Sequence, residues 1–338
     1  VNKESILLTG AAGFIGSHVA RDLLRFCEKE YRIIAVDDLS GGFVENLPSG
    51  VEFVRADVSD EQIVKAIFKT YKPRYVFHLA AYAAEGLSFF IQNFNFRNNL
   101  IASVNLINES VNYNVERFVF TSSIAVYGHA EPPVDELCPP NPADPYGIAK
   151  FAVEQSLKVA WDMFGLKYTV FRPHNVFGEY QNIGDPYRNV VGIFMNQMLK
   201  NQPFTVFGDG TQRRAFSYVA GVSWSIANSI QFQETANEIY NVGADQDYSI
   251  NQLAEEVQRA FGRQAEIKYL SPRNEVEVIY ARHNKAAVVF KNAPQVDFRE
   301  GIERMARWAI SRGPMEPQKF RAIEVTKNMP PSWARFTL

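Results

Sequence analysis

The sequence predicts an α/β protein, a doubly wound parallel sheet with a second, smaller α/β domain. Three observations carry this expectation. Short apolar runs alternate with helical stretches through much of the chain. The first run, residues 6–9, opens into the glycine-rich turn Gly10-Ala11-Ala12-Gly13-Phe14-Ile15-Gly16 and then a helix starting near Phe14. The second run, residues 32–36, ends in the acidic pair Asp37-Asp38 about 20 residues beyond that turn.

Each part of the turn has a physical use. Gly10 permits a tight bend, Gly13 lets the backbone approach a pyrophosphate, and Gly16 allows close packing of helix on strand. Free amides at the helix start then face the diphosphate. An acid at the end of the second strand accepts hydrogen bonds from an adenosine ribose and repels a 2′-phosphate. Leu39-Ser40-Gly41-Gly42 offers no arginine to receive one, so NAD is expected rather than NADP. The whole is a Rossmann pattern.

Further along, residues 52–55 read as a strand followed by Ala56-Asp57-Val58, where Asp57 is either an adenine contact or a helix cap. A helix is expected over 60–71. The strand 75–79 opens into Ala80-Ala81-Tyr82-Ala83-Ala84, small residues that leave room for a flat cofactor, and His78 reads as a packed strand residue. Residues 90–112 read as one long helix with Asn98 and Asn99 near its middle. The strand 117–120 delivers Thr121-Ser122-Ser123 to the carboxyl edge of the sheet, where ligands bind in such folds.

The chain has 338 residues and a formal charge of −2, with both signs interspersed. This gives no footprint for nucleic acid and no basic membrane face. No apolar run approaches the roughly 18 residues a membrane span needs, and the N-terminus is expected to enter the first strand directly, without a signal peptide. Cys27 and Cys138 form neither a disulfide framework nor a metal pattern, and a reducing cytoplasm is the expected location.

Tyr146-Gly147-Ile148-Ala149-Lys150 begins the next helix, with Asp144-Pro145 as cap and first turn. Residues four apart share a helix face. A free phenol has a pKa near 10, and a neighbouring ammonium with a positive nicotinamide is expected to favour phenolate and bring proton transfer into range.

With these residues in place the chain resembles the extended short-chain dehydrogenase/reductases, and among them the nucleotide-sugar epimerases and dehydratases. The resemblance runs from Ile6 to about Trp308. It rests on the glycine turn, His78-Leu79-Ala80-Ala81, the run Thr121-Ser122-Ser123-Ile124-Ala125-Val126-Tyr127-Gly128, the Tyr146–Lys150 motif and Arg172-Pro173-His174-Asn175, in the family's order. It implies that Ser123, Tyr146 and Lys150 are catalytic, with Lys150 also holding the nicotinamide ribose. The cofactor residues it implies are Gly10, Gly13, Phe14, Ile15, Gly16, Asp37, Asp38, Asp57, Val58, Leu79, Ala80, Ala81, Asn99, Thr121, Tyr146 and Lys150. For a sugar nucleotide it implies Ala83, Ser123, Asn175, Asn189, Val190, Phe207, Arg214, Arg273 and Glu275, with Arg214 on the diphosphate, where a planar fork suits several oxygens. No metal is expected.

The same resemblance divides the chain. Residues 1–173 and 214–243 are expected to form the NAD domain, 174–213 and 244–313 the sugar-nucleotide domain, and 314–338 a proline-bearing tail that wraps the surface or an oligomer contact. It also implies a homodimer through the helices at 90–112 and 146–164.

Within the family, 4,6-dehydratases carry Asp-Glu after the hydroxyl residue and sugar-acid decarboxylases a glutamate nearby. This chain has Ile124-Ala125. The reaction expected is therefore 4-epimerisation of a UDP-hexose, UDP-glucose and UDP-galactose in the first place, through a transient 4-keto sugar. Ala83 stands where the galactose enzymes often have lysine, and Ala215 where an aspartate is common. Ile279 falls near the position limiting the C2 substituent, so UDP-glucuronate and UDP-N-acetylglucosamine epimerases remain alternatives. So do a nucleotide-sugar reductase using the same three residues and a non-catalytic NAD-binding regulator.

Overall fold

The computed structural model describes residues 3–272, 278–317, 320 and 323–336. Its main sheet is parallel, and among the described residues it has seven strands. These are β1 (Glu4–Thr9), β2 (Tyr31–Asp37), β3 (Glu52–Arg55), β4 (Tyr75–His78), β5 (Arg117–Thr121), β6 (Tyr168–Pro173) and, returning later, Glu238–Val242. The order is β3-β2-β1-β4-β5-β6 with the late strand beyond β6. The direction of winding reverses between β1 and β4, so the crevice opens at their carboxyl ends.

Both faces of this sheet are covered, as its near-continuous apolar strands require. On one side α1 (Phe14–Cys27) packs Val19, Ala20 and Leu23 against Ile6, Leu8 and Phe77. On the other, α2 (Glu61–Tyr71) brings Val64, Ile67 and Phe68 against Leu7, Ile34 and Val76. Asp60 caps α2, accepting from the amides of Gln62 and Ile63.

The expected long helix is more broken. A short α3 (Glu85–Ser88) precedes α4 (Gln92–Phe96), a π-helical turn at Arg97–Ile101 and α5 (Ala102–Asn112). Such a turn inserts extra backbone into the α-helical ladder. Asn99 sits within it, buried, and donates to the Tyr82 carbonyl (3.2 Å) and to Asn95 Oδ1 (2.7 Å). Helix α6 (Pro145–Phe164) begins as the sequence implies: Asp144 Oδ1 accepts from the Gly147 amide at 2.9 Å and Pro145 occupies the first turn.

After β6 come β7 (Val176–Phe177), α7 (Val190–Leu199), β8 (Phe204–Phe207), β9 (Arg213–Ala215), β10 (Ser217–Tyr218) and α8 (Val219–Asn228), followed by β11, the late strand Glu238–Val242. Then follow β12 (Asp247–Ser249), α9 (Ile250–Phe261), β13 (Ile267–Leu270), β14 (Val278–Ile279), α10 (Asn284–Val289) and α11 (Phe298–Arg312). A second core joins Phe194, Met195 and Met198 of α7, Leu253 and Val257 of α9, and Ile302 and Met305 of α11. Ser249 and Gln252 form a capping box on α9.

Helix α10 departs from the expected division at 244. Ala286 and the adjoining Phe290 pack into the core of the main sheet, with the Phe290 ring 5.3 Å from Tyr240 and 5.7 Å from Phe171. Lys285 Nζ also donates to Glu238 Oε2 (2.6 Å) and the Ile239 carbonyl (2.8 Å). β11 would otherwise leave apolar rings open beside β6, and α10 covers them.

Behind α6 lies a buried ion pair. Arg172 donates to both oxygens of Glu154 (Nε–Oε1 3.0 Å, Nη2–Oε2 2.5 Å) and to the Tyr127 hydroxyl (2.7 Å), while Ser122 donates to Glu154 Oε1. Removing one member leaves a bare charge away from water. Glu154→Ala is therefore expected to lower unfolding free energy by about 3–5 kcal/mol, and the double variant Glu154→Leu/Arg172→Met to recover most of it. Urea unfolding of the three proteins measures this, and a single variant as stable as wild type would contradict it.

Candidate active site

One cleft of about 940 Å³ runs along the carboxyl ends of the main-sheet strands and on to α7, β8 and β9. At one end it is lined by Asp37, Asp38, Ala56, Asp57 and Val58. The glycine turn, Leu79, Ala80, Ala81, Thr121, Ser123, Tyr146 and Lys150 line its middle. Asn175, Asn189, Val190, Phe207 and Arg214 line the other end.

The turn is built without side-chain room. Gly10 has φ +70° and a Cβ there would lie 2.6 Å from the Ala80 amide nitrogen; one at Gly16 would lie 2.0 Å from the Gly10 carbonyl oxygen. Only glycine gives both the backbone angle and the approach. Asp37 ties this turn to β2, accepting from the Ala12 amide (3.0 Å) and the Leu39 amide (2.8 Å). Burial pushes its carboxyl upward and these backbone donors oppose the shift. A carboxylate has about four acceptor positions, so these donors leave room for a ribose hydroxyl. Asp38 and Asp57 each close a local turn, onto the Ser40 and Ser59 amides at 2.8 Å. Asp57 is therefore not the cap of α2, a place taken by Asp60.

Tyr146 and Lys150 point from one face of α6 toward the end of β5. Lys150 Nζ donates to the Thr121 carbonyl at 2.8 Å and stands 5.8 Å from the centre of the Tyr146 ring and 4.7 Å from that of Phe120. The Ser123 hydroxyl faces the phenol closely enough to favour its ionised form, and it accepts from the Ala125 amide at 3.1 Å. Electrostatics differ from the sequence expectation of a phenol made acidic by lysine. Burial raises the Tyr146 pKa well above the ordinary value, Glu85 adds to the rise, and Ser123 and Arg188 oppose it. Burial also brings Lys150 down to about 7, against a smaller pull from Glu154. In the protein alone, desolvation is the largest influence on both groups.

The other expected residues sort by geometry. Ala83 and Asn175 line the cleft, Asn175 with φ +40°. Asn189 lines it too, but its amide caps α7, accepting from Val191 N (2.9 Å) and donating to the Val176 carbonyl (2.8 Å). On β9 the two arginines part: Arg213 pairs with Asp247, and Arg214 lines the cleft. Asn99 does not line it; its amide holds the Tyr82 backbone, and it is a support for the cofactor loop rather than a wall. Arg273, Glu275 and the side chain of Ile279 lie outside the described residues.

Sequence reading overlooked several lining groups. Asn98, from the π-turn, takes the place expected of Asn99. Gln181 is buried and lines the cleft, with no hydrogen-bond partner on Oε1 among the described residues. Pro331, Ser332 and Trp333 come from the tail, expected to wrap the surface or an oligomer contact, and line the cleft. A lone tryptophan after two prolines was the available signal.

A dinucleotide fits these residues: the glycine turn leaves a bare backbone cradle, and Thr121 Oγ1 is buried at the cleft with no hydrogen-bond partner among the described residues. The model for the NAD dependent epimerase/dehydratase family matches residues 6–243. The chain belongs to that family. A putative UDP-glucose 4-epimerase of Methanocaldococcus jannaschii is 36% identical over 311 residues, 90% of this chain and 97% of that one. The crystal structure of the Thermotoga maritima UDP-glucose 4-epimerase with UDP-glucose superposes with a TM-score of 0.84 at 35% identity, covering 91% of this chain and 99% of that one. That of the Bacillus cereus UDP-glucuronic acid 4-epimerase with UDP-glucuronic acid and NAD gives 0.82 at 26%, with 91% and 99% covered. This epimerase-family chain is thus an isomerase with NAD as its cofactor.

The low pKa of Lys150 has a measurable consequence. The unfolded lysine, near 10.4, binds a proton that the folded one has lost above about 7, so folding stability rises with pH in between. In cofactor-stripped protein, the difference in unfolding free energy between wild type and Lys150→Met is expected to grow in favour of wild type by about 1 kcal/mol per pH unit from pH 7.5 to 8.5. A difference independent of pH in urea titrations would contradict the assignment.

Proposed function

We propose that this enzyme is a nucleotide-sugar 4-epimerase that interconverts UDP-glucose and UDP-galactose or a closely related UDP-hexose. The observation that carries the reading is one proton-transfer centre, Tyr146 with Ser123, in a cleft whose far end presents Arg214. No acid follows Ser123, where the buried Ile124 and Ala125 stand, so elimination of water lacks the expected second pair of groups there.

Tyr146 takes the proton of the sugar 4-hydroxyl, with Ser123 orienting that oxygen. Bound NAD supplies the hydride acceptor and the positive charge that makes the phenol easier to ionise. Arg214 would hold the diphosphate while the 4-keto sugar turns its other face; return of the stored hydride to C4 on that face would set the inverted configuration, and Tyr146 would give the proton back to oxygen. A neutral hexose is favoured because Arg188, the cation at this end, is held by Asp185 (Nε–Oδ2 3.0 Å) and lies over the Tyr82 ring at 4.8 Å. Its presence in the cleft wall also favours a second reading, a UDP-hexuronate.

Two copies are proposed to associate through α5 and α6, where Val159, Met163 and Phe164 are exposed on α6. The two unpaired cysteines suit the reducing cytoplasm proposed as its location.

Purified protein incubated without added cofactor with UDP, GDP, CDP and dTDP sugars is expected to convert a UDP-hexose, resolved by NMR, without net oxidation or reduction. Conversion of UDP-glucuronate alone would replace the neutral-sugar reading, and net consumption of NADPH would replace epimerisation by reduction. Tyr146→Phe is expected to retain NAD and lose at least about 10²-fold in kcat; an unimpaired variant would discard the mechanism.

A further inference from the structure

The family resemblance ends near Trp308, yet the chain beyond it is fastened to the body of the protein at two places. At the first, Asn196 of α7 brackets Met315, donating to its carbonyl and accepting from its amide, both at 2.9 Å, and Lys200 pairs with Glu316 at 2.9 Å. At the second, Glu324 accepts from the amides of Asn93 (2.8 Å) and Phe94 (2.9 Å) at the start of α4, while its own amide donates to the Phe90 carbonyl at 2.8 Å. Both anchors are made by groups away from the reacting centre. What they deliver between and beyond them is an aromatic surface.

Trp333 is that surface's inner edge. It is only 4% exposed, lies edge-on to Tyr187 at 5.2 Å and to Phe90 at 6.1 Å, and lines the cleft. A Cβ added to Gly86 would stand 3.4 Å from the indole. Gly86 follows Glu85, the charged group that acts most strongly on the Tyr146 phenol. The indole therefore stands beside the loop 84–86, in the middle stretch of the cleft with the phenol.

We infer that Trp333, held by the carboxy-terminal strap, is a specificity-determining residue that walls the chamber of the reacting sugar and limits the bulk of its ring substituents. The inference rests on the UDP-hexose reading given above. An indole offers an apolar face to the C–H side of a pyranose, and its volume is space that a larger substituent cannot enter. A single methylene of pocket shape discriminates about 10–200-fold, so removing the whole indole has ample leverage. Glu324 acts through Trp333 and is a positioning residue.

Two measurements on the full chain test this. Ligand titrations followed by tryptophan emission are expected to show a change with UDP-hexose that UDP alone does not produce, and Trp333→Phe is expected to abolish most of it while Trp161, Trp224 and Trp308 remain. In kinetics, Trp333→Ala is expected to raise kcat/KM for UDP-N-acetylhexosamines relative to UDP-hexoses at least about tenfold, with Glu324→Ala shifting the ratio in the same direction. An equal emission change with UDP alone, a change surviving in Trp333→Phe, or an unaltered ratio in Trp333→Ala would each overturn the inference while leaving the epimerase reading intact. Calorimetry that detects no UDP-hexose binding to wild type would overturn both.

Discussion

The site depends on one helix face and on how its polar groups are kept out of water. Tyr146, Lys150 and Glu154 follow one another at intervals of four on α6, so they stand in a row against the ends of β5 and β6. Each is buried and each meets a different group from the strand ends: Ser123 beside the phenol, the Thr121 carbonyl for the ammonium, Ser122 and Arg172 for the carboxylate. The row passes from the open cleft to the sealed interior in about two turns. Its inner end is a closed ion pair and its outer end is left with a proton to exchange.

That gradient sets the electrostatics. Glu154 is satisfied by Arg172, so it offers Lys150 only a secondary attraction, and burial takes the ammonium down to about 7. The phenol is driven the other way by the same lack of water and by Glu85. Both groups consequently lean toward their neutral forms in the protein alone. A positive nicotinamide ring bound beside them would oppose that lean for the phenol, which would tie proton transfer to the cofactor being in place. A phenol lying in water beside a lysine would not have this coupling.

What could be read in the sequence was whatever is made by neighbours in the chain. The glycine turn, the Asp144-Pro145 start of α6 and the Tyr146–Lys150 spacing are all local, and the acid ending β2 is a fixed step from the turn it supports. Residues whose roles depend on distant partners were less legible. Asn99 resembles a cofactor contact until the π-turn is seen to direct its amide at Tyr82 and bring Asn98 to the cleft. His174 stands in a family motif, but its ring is held by the Ala215 carbonyl (3.0 Å) and by His283 (2.9 Å), which in turn meets Asp245 (2.7 Å). Nothing within ten residues of His174 announces His283. Helix α10 was assigned by its position in the chain, whereas the open rings of Phe171 and Tyr240 decide where it packs.

The tail shows why periodicity fails at such places. A helix or strand that builds a core must repeat its apolar residues at the period of its own backbone, but a segment laid onto a finished surface answers to that surface's spacing. Phe320, Met329 and Trp333 meet rings supplied by Tyr82, Phe94 and Tyr187, and their separations in sequence follow the positions of those rings. The strap's fixed points are of the same kind, a carboxylate on free helix amides and an asparagine bracketing a backbone unit, neither of which needs a pattern around it. The stretch that reaches the cleft, Pro331 to Trp333, lies beyond the second of these anchors, so its place is set by the rings it meets and not by any period of its own.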